Sequence, residues 1–244
     1  MLTLAGAYGF SLYHEARKDA QSGGVATRIV REYYSLDEVA WPSFISPLMV
    51  AQATEDFEDA PIRIVEYADL LCPDCRYLAE QMERLKDEFA GQMNVAFQLF
   101  PLEGQCNDVV EKDLHPGACE LSYLAAYDPS KFKAIHDEVF ANIRSGRDPE
   151  WRLELARRHG VEAALQDSAT IDMVHRMINT GAEYEQTSEQ YAHGIRSTPT
   201  MIINGRMIIG TLPYDQLRAI FQALIDEHER GEGTTFIENW EPNR

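Results

Sequence analysis

Four cysteines are the residues of this sequence whose types and spacing could do redox chemistry. They fall into two pairs, Cys72 with Cys75 and Cys106 with Cys119. Two thiols three residues apart can form a disulfide with each other, and that disulfide can exchange with the thiols and disulfides of another molecule. Half of a zinc site is the alternative for such a pair, and it requires further ligands.

The first pair lies at the start of a predicted helix. Pro73 stands where a helix has its first residue, a position that suits proline because the missing N–H would have no helical partner. An apolar stripe predicts that the helix runs to about Phe89, with Gly91 just past its end. Cys72 would cap this helix, where unpaired N–H groups and the helix dipole stabilise a thiolate. The sequence therefore predicts Cys72 as the accessible nucleophile and Cys75 as the shielded resolving thiol.

The zinc alternative would need ligands from distant parts of the chain. The sequence has no second pair of cysteines at the same spacing, so zinc would have to recruit Cys106, Cys119 or His115. The helix-opening proline favours redox chemistry instead. We expect no metal and no bound cofactor, because the disulfide itself is the redox group.

Glu66 lies at the end of the predicted strand that precedes the first pair. Residues 62–67 are short, β-branched and apolar on both faces, which predicts a central strand covered on both sides. Glu66 has the same strand parity as Ile62 and Ile64, so we expect its carboxyl group to be partly desolvated, with a raised pKa. The alternative is a strand-end glutamate that reaches solvent.

The remaining pattern supplies the other elements. An edge strand is predicted within residues 46–51 and a third strand at 94–100, and the pattern of residues 106–193 is helical throughout. Asn204 and Gly205 then separate two short apolar runs, which predicts a β-hairpin because both residues tolerate positive φ. A closing helix follows. This order predicts an α/β fold whose active centre lies beyond the carboxyl end of a central strand.

Two segments carry a resemblance to a known family. Residues 66–75 (EYADLLCPDC) and 196–205 (RSTPTMIING) are similar to the DsbA-like branch of the thioredoxin superfamily. The resemblance extends over about residues 46–227 and is weakest across the helical block. It implies a thioredoxin-like fold, with a central mixed sheet and a helical insertion between the third strand and the C-terminal hairpin. It also implies thiol-disulfide oxidoreductase activity.

The resemblance also implies roles for individual residues. The Thr198–Pro199 peptide would be cis and face the cysteines, with Thr198 offering backbone groups to an extended substrate chain. Glu66 would lie beneath the cysteines and move protons. Pro73 and Asp74 would tune the redox properties, and Asp74 replaces the basic or aromatic residue of the best-known members. The direction of electron flow therefore stays open between an oxidase and a reductase or isomerase. A thioredoxin-fold binding module or chaperone with structural cysteines is the alternative from another class.

The second pair of cysteines has two interpretations. Cys106 and the segment 115–119 (HPGAC) resemble elements of thioredoxin-like domains fused to vitamin K epoxide reductase homologues. The favoured interpretation is a structural disulfide between Cys106 and Cys119, worth about 3 kcal/mol for a loop of about a dozen residues. The alternative is a second redox pair that relays electrons. The structural role is favoured because neither cysteine stands at a predicted helix start, where a thiol pKa is lowered.

Composition and resemblance together limit the partners. The net charge of −18 argues against nucleic acid and anionic lipid, since both need a basic surface. An even number of cysteines fits an oxidising compartment. The resemblance implies a periplasmic or otherwise extracytoplasmic protein that acts on protein thiols and disulfides. Its electron partner would be a membrane quinone reductase of the DsbB or vitamin K epoxide reductase type. We expect a monomer.

The chain is expected to divide into three parts. Residues 1–45 form a lead-in whose apolar stretch, 2–13, is too short to span a bilayer. This stretch is either the end of a membrane anchor or signal segment, which would tether the protein, or an amphipathic helix. Residues 46–230 form the thioredoxin-like domain, with its helical insertion at about 106–193. Residues 231–244 form a polar tail.

Overall fold

The computed structural model describes residues 24–186, 193–230, 237 and 240–242. They fall into two compact units, one of which is Asp37–Leu212, while the other combines the described residues before and after it. The apolar stretch at 2–13 and most of the polar tail lie outside the described residues, and the predicted domain boundaries stay predictions. Within the described ranges, none of the helices is long and apolar enough to cross a membrane.

A five-stranded mixed sheet forms the Asp37–Leu212 unit's centre. Its strands are β1 (Met49–Gln52), β2 (Ile62–Ala68), β3 (Met93–Leu99), β4 (Thr200–Ile203) and β5 (Arg206–Ile209), in the order β1-β3-β2-β4-β5. β2 and β3 are parallel, and the other neighbouring strands are antiparallel. The predicted central mixed sheet is confirmed, with β1 as the predicted edge strand.

The described helices belong to both units. They are α1 (residues 24–34), α2 (Pro73–Glu88), α3 (Ala118–Ala126), α4 (Pro129–Ala141), α5 (Pro149–His159), α6 (Ser168–Thr180) and α7 (Tyr214–Arg230). α1 and α7 belong to the unit without the sheet, and the others to the Asp37–Leu212 unit. Short 3₁₀ turns occur at Phe57–Asp59, Ser145–Arg147, Glu162–Gln166 and Gly181–Gln186. Aspartates cap three of the helices. Asp128, Asp148 and Asp167 each accept a hydrogen bond from a backbone N–H two or three residues further on, which satisfies donors that a helix start otherwise leaves unpaired.

The helical block begins later than the sequence predicts. It starts at Ala118 and not at residue 106, and residues 106–117 form an irregular loop. Gly117 has φ 95°, a left-handed conformation that a continuous helix does not allow. The side chain of Asn107 also bonds away from any helix, because its Nδ2 donates to the carbonyl oxygen of Pro101 over 2.9 Å. At the other end of the predicted block, which extends to residue 193, α6 stops at Thr180, a 3₁₀ turn follows, and residues 187–192 lie outside the described residues.

The predicted hairpin is present and is tied to the central strand. Asn204 and Gly205 connect β4 to β5 with φ values of 41° and 81°. The Asn204 side chain accepts a hydrogen bond from the N–H of Arg63 and donates one to the carbonyl oxygen of Pro61, each at 2.8 Å. The turn therefore also fixes where β2 begins.

The two faces of β2 contact different helices. Tyr67 points towards α6, where its hydroxyl lies 2.7 Å from the hydroxyl of Thr180. Glu66 points to the opposite face, where it lines a small cavity with Ala79 and Met82 of α2. Every residue of β2 except Arg63 is buried. The predicted strand covered on both sides is thus confirmed, and Glu66 lies on the side of the helix that carries the cysteines.

The other unit has a small core of its own. Val30 of α1 and Ala223 of α7 are buried in it together with Trp240. The indole Nε1 of Trp240 donates to Asp226 over 2.8 Å, and the hydroxyl of Tyr34 donates to Glu227 over 2.6 Å. These contacts fasten the described part of the C-terminal segment to its own unit.

Candidate active site

The connection from β2 to α2 carries the first pair of cysteines. Cys72 is the N-cap of α2, with extended backbone angles, and Pro73 is the first helical residue. The N–H of Cys72 donates to the carbonyl oxygen of Asp69 over 3.0 Å, which fixes the loop before the helix. Both Cys72 and Cys75 are free thiols, so the structure represents the reduced pair.

Cys72 is more accessible than Cys75, although the difference is small. Cys72 is 5% exposed and Cys75 is fully buried. The sequence analysis predicted a more open Cys72. Its thiol is partly covered because it lies against Thr198, and it donates a hydrogen bond to that residue's carbonyl oxygen over 3.5 Å. A partner thiol therefore reaches Cys72 and not Cys75.

The two thiols have opposite acidities. The pKa of Cys72 is lowered to about 6. The hydrogen bond from the Cys75 thiol lowers it most, and N–H groups at the helix start lower it further, whereas desolvation acts to raise it. The thiolate form of Cys72 is therefore favoured at neutral pH. Burial raises the pKa of Cys75 well above its ordinary value, and the hydrogen bond and charge of Cys72 raise it further. Cys72 thus has the acidity of a nucleophile, and Cys75 keeps its proton.

The segment 198–199 lies beside the Cys72 sulfur. The Thr198–Pro199 peptide is cis, and the Pro199 carbonyl oxygen accepts a hydrogen bond from the N–H of Gly210 over 2.8 Å. The Thr198 hydroxyl oxygen is buried and has no hydrogen-bond partner among the described residues. The Thr198 side chain lowers the pKa of Cys72, so its hydroxyl is placed to donate to the thiolate. The structure therefore brings Thr198 and Pro199 to the first pair of cysteines.

Glu66 lies close to the resolving thiol. It is 2% exposed, and its Oε1 has no hydrogen-bond partner within the described chain. Desolvation raises the pKa of Glu66 from 4.5 to about 8, and its charge raises the pKa of Cys75. The cavity that it lines has a volume of about 20 Å³. A carboxyl group that titrates near neutral pH beside a thiol is suited to exchanging a proton with it.

Asp74 is exposed at the first turn of α2. Its backbone N–H lowers the pKa of Cys72, whereas its carboxylate brings a negative charge to the same end of the helix. The helix start lowers the pKa of Cys72, whereas a negative side-chain charge nearby acts to raise it. The predicted redox tuning by Pro73 and Asp74 stays a prediction.

The second pair of cysteines forms a disulfide. Cys106 and Cys119 are bonded, so neither thiolate can complete a zinc site with the first pair. The prediction that neither cysteine stands at a helix start is wrong for Cys119, which is the second residue of α3. The carboxylate of Glu103 already occupies that start, where it accepts hydrogen bonds from the N–H groups of Gly117 at 2.9 Å and of Cys119 at 2.8 Å. A second negative charge on the Cys119 sulfur is therefore disfavoured there.

Two further residues belong to the site, and the sequence analysis missed their role. Asp69 is fully buried, and its carboxylate accepts hydrogen bonds from the N–H groups of Leu71 at 2.6 Å and Leu102 at 2.7 Å. The oxygen that binds Leu102 also lies 2.8 Å from Nδ1 of His115. From the sequence, His115 is a possible zinc ligand and part of the HPGAC segment, with no predicted partner in the redox site. Its true partner lies 46 residues away in the chain, and no local pattern connects the two.

His115 has an electrostatic connection to the reactive thiol. The pKa of His115 is raised. Burial acts to lower this pKa, but the hydrogen bond and charge of Asp69 outweigh burial, and the charge of Cys72 raises the pKa further. The exposed Arg147 opposes this increase. The site therefore contains a histidine whose protonated form is favoured by the carboxylate and by the thiolate.

Comparison with known proteins agrees with this geometry. The family model described as Thioredoxin matches residues 57–223, which is more than half of the chain. A curated relative from Bacillus cereus, named Probable disulfide bond formation protein D, is 32% identical over 100 residues. That match covers 40% of this chain and 43% of the relative, so the chain matches less than half of the relative's length.

Solved structures show the same fold. A variant of alpha-DsbA1 from Wolbachia pipientis has a TM-score of 0.58 at 17% identity, covering 79% of this chain and 96% of that one. A periplasmic thioredoxin-like protein from Salmonella enterica has a TM-score of 0.56 at 16% identity, covering 75% of this chain and 93% of that one. The predicted thioredoxin-like fold is therefore confirmed.

Proposed function

Because this chain belongs to the thioredoxin family, we propose that it is a thiol-disulfide oxidoreductase of the DsbA-like type. The observation that carries the proposal is the contrast between two neighbouring thiols at one helix start. Cys72 has a pKa of about 6, whereas Cys75 is fully buried and has a raised pKa. Cys72 is thus suited to be attacked by a substrate and to leave as a thiolate. Cys75 is suited to resolve the mixed disulfide.

The two cysteines account for all the electrons that are transferred in the exchange. In the oxidising direction, a substrate thiolate attacks the Cys72 sulfur of the Cys72–Cys75 disulfide, and the electron pair of the broken bond passes to Cys75, which takes a proton from Glu66. A second substrate thiolate then attacks the substrate sulfur of the mixed disulfide, and Cys72 leaves as a thiolate. The substrate gains a disulfide and the enzyme gains two electrons. No bound cofactor is needed.

Protein thiols and disulfides are the proposed substrates. An extended chain would bind along Thr198 and Pro199, where the Thr198 backbone lies against the Cys72 sulfur. The disulfide between Cys106 and Cys119 supports an oxidising, extracytoplasmic location, and the printed description of the Salmonella protein as periplasmic agrees with it. The proposed electron partner is a membrane quinone reductase of the DsbB or vitamin K epoxide reductase type.

The acidity of Cys72 bears on the direction of electron flow. Its pKa of about 6 lies between the values of about 3.5 for a strongly oxidising DsbA and about 7 for thioredoxin. We therefore propose a moderate oxidant. A reductase or isomerase is the second candidate, because the same intermediate acidity suits a pair that runs in either direction.

Trapping tests the activity. We expect a Cys75→Ser variant to accumulate a mixed disulfide between Cys72 and a model peptide disulfide, because the resolving thiol is gone. Cys72→Ser is the matched control and should trap nothing. If Cys75→Ser also traps nothing, the thiols are structural and the protein is a binding module. Equilibration with glutathione then gives the reduction potential, and a value near that of thioredoxin would assign the protein as a reductase.

A further inference from the structure

A positive charge is missing from the redox motif itself. The residues between the two cysteines are Pro73 and Asp74, and the whole chain carries a net charge of −18. Such surroundings disfavour a thiolate, yet the pKa of Cys72 is lowered. The hydrogen bond from the Cys75 thiol is the largest stabilising contribution, and backbone N–H groups at the helix start and the Thr198 side chain add to it. A cation close to the thiolate would add to it.

We propose that His115, held by the buried carboxylate of Asp69, is an electrostatic residue of the redox site whose imidazolium stabilises the Cys72 thiolate. The inference rests on the proposed function only in taking Cys72 as the reactive thiol. The observations that support it are a shared anchor, a fixed loop and a mutual effect between the two charges.

Asp69 is the shared anchor. Its backbone carbonyl oxygen accepts the N–H of Cys72 at 3.0 Å, and its carboxylate lies 2.8 Å from Nδ1 of His115. One residue thus sets the positions of both the thiol and the imidazole. Asp69 is fully buried and His115 is 9% exposed, so solvent screens the pair little.

The loop that carries His115 is fixed from several sides. The N–H of His115 donates to the carbonyl oxygen of Leu102 over 3.2 Å. The disulfide between Cys106 and Cys119 closes the loop. Arg152 packs beneath Gly117, where a Cβ atom would lie 2.5 Å from its guanidinium. These contacts hold the histidine in one position beside Asp69.

Two negative charges and one positive charge act on the pKa of His115. Asp69 and the Cys72 thiolate favour the imidazolium, while Arg147 opposes it. An interaction energy belongs to both partners, so a thiolate that stabilises the imidazolium is itself stabilised equally. His115 makes no hydrogen bond to the Cys72 sulfur, and its effect is therefore smaller than that of Cys75, Thr198 or the helix start.

This reciprocity has a redox consequence. When Cys72 enters a disulfide its negative charge disappears, and His115 loses one of the two charges that favour its protonation. The pKa of His115 is then lower in the disulfide form than in the dithiol form. Part of the proton exchange that accompanies oxidation thus takes place at His115.

Replacing the histidine tests the proposal. We expect His115→Gln to raise the pKa of Cys72, measured from the pH dependence of alkylation of the reduced protein, by about half a unit to one unit. The reduction potential should fall, because the reduced form is less stable. His115→Lys restores a positive charge and should return the pKa towards the wild-type value. His175→Gln, which replaces a half-buried histidine of α6, is the matched control and should change neither quantity.

Two results distinguish the proposed electrostatic role of His115 from a purely structural role. Loss of loop order alone would not be rescued by lysine, so an equal pKa increase in His115→Gln and His115→Lys overturns the proposal, as does an unchanged pKa in His115→Gln. NMR titration of the His115 imidazole in the wild-type protein covers the case in which a variant fails to fold. The same imidazole pKa in the dithiol and disulfide forms would also overturn the proposal. Neither measurement uses a substrate, so a failure here is distinct from a failure of the trapping experiment.

Discussion

The first turn of α2 places two cysteines in neighbouring but different surroundings. Cys72 at the N-cap receives hydrogen bonds from the helix start, and Cys75 lies one turn inside, fully buried. The sequence alone predicted this asymmetry, because Pro73 marks the helix start and the order of the two thiols follows from it. The covering of Cys72 by Thr198 was not predictable in the same way, since the contact joins residues 126 positions apart.

Asp74 should weaken the oxidising power of the pair. Replacing it by histidine removes a negative charge and adds a partial positive one near the Cys72 thiolate. We expect the pKa of Cys72 to fall by about half a unit, since solvent screens a charge at this exposed position, and the reduction potential to rise. Alkylation rates against pH measure the first effect, and glutathione equilibration measures the second.

An asparagine at the same position separates the two contributions. Asp74→Asn removes the negative charge without adding a positive one, so its pKa for Cys72 should lie between those of the wild-type protein and Asp74→His. An unchanged or higher pKa in Asp74→His would show that the Asp74 carboxylate points away from the sulfur.

Among the elements, the strands, α2 and the hairpin were predictable from sequence because their signals are local. Alternating or continuous apolar runs, a proline at a helix start and an Asn-Gly turn each act within a few residues. The loop at 106–117 was not predicted, because its form depends on Glu103, on a left-handed Gly117 and on a disulfide, none of which leaves a periodic signal. The histidine of this loop was therefore found only as a possible ligand.

The loop disulfide should be structural and resistant to mild reduction. Cys119 is buried beside the Glu103 carboxylate, which disfavours a thiolate leaving group there. We expect a mild thiol to reduce the first pair while Cys106 and Cys119 stay bonded, as mass spectrometry after alkylation would show. The double variant Cys106→Ser, Cys119→Ser should lose about 3 kcal/mol of unfolding free energy in a denaturant titration.

Trapping with this double variant distinguishes the two interpretations of the second pair. Combined with Cys75→Ser, it should still form the mixed disulfide through Cys72. Simultaneous reduction of both pairs, together with loss of turnover in Cys106→Ser, would instead support an electron relay.

For the molecule as a whole, the burial of Glu66 makes stability depend on pH. Its pKa is about 8 when folded and 4.5 when exposed, so between these values the folded state holds a proton that the unfolded state has released. The contribution of Glu66 to the stability of the reduced protein should therefore fall as pH rises through this window, by about 5 kcal/mol in total. The Cys72 thiol acts in the opposite direction between pH 6 and 9, because its pKa is lowered from 9.0 to about 6 in the folded state. Urea unfolding at a series of pH values measures this change.

The matching variants identify the residue responsible. Glu66→Gln should remove the decline that Glu66 contributes and leave the protein more stable than the wild type at pH 9, although slower in resolving mixed disulfides. Glu80→Gln, at an exposed position of α2, should keep the wild-type profile. A stability difference between the wild type and Glu66→Gln that stays constant from pH 5 to 9 would contradict the assigned burial cost.

Asp69 also makes two loops open as one. Its carboxylate holds the N–H of Leu71 in the connection that carries Cys72, and the N–H of Leu102 in the connection after β3. Displacing either loop leaves a buried, charged oxygen with fewer partners, which costs more than an ordinary lost hydrogen bond. We therefore expect the two connections to open together, so that a substrate that displaces the redox loop also loosens the connection after β3.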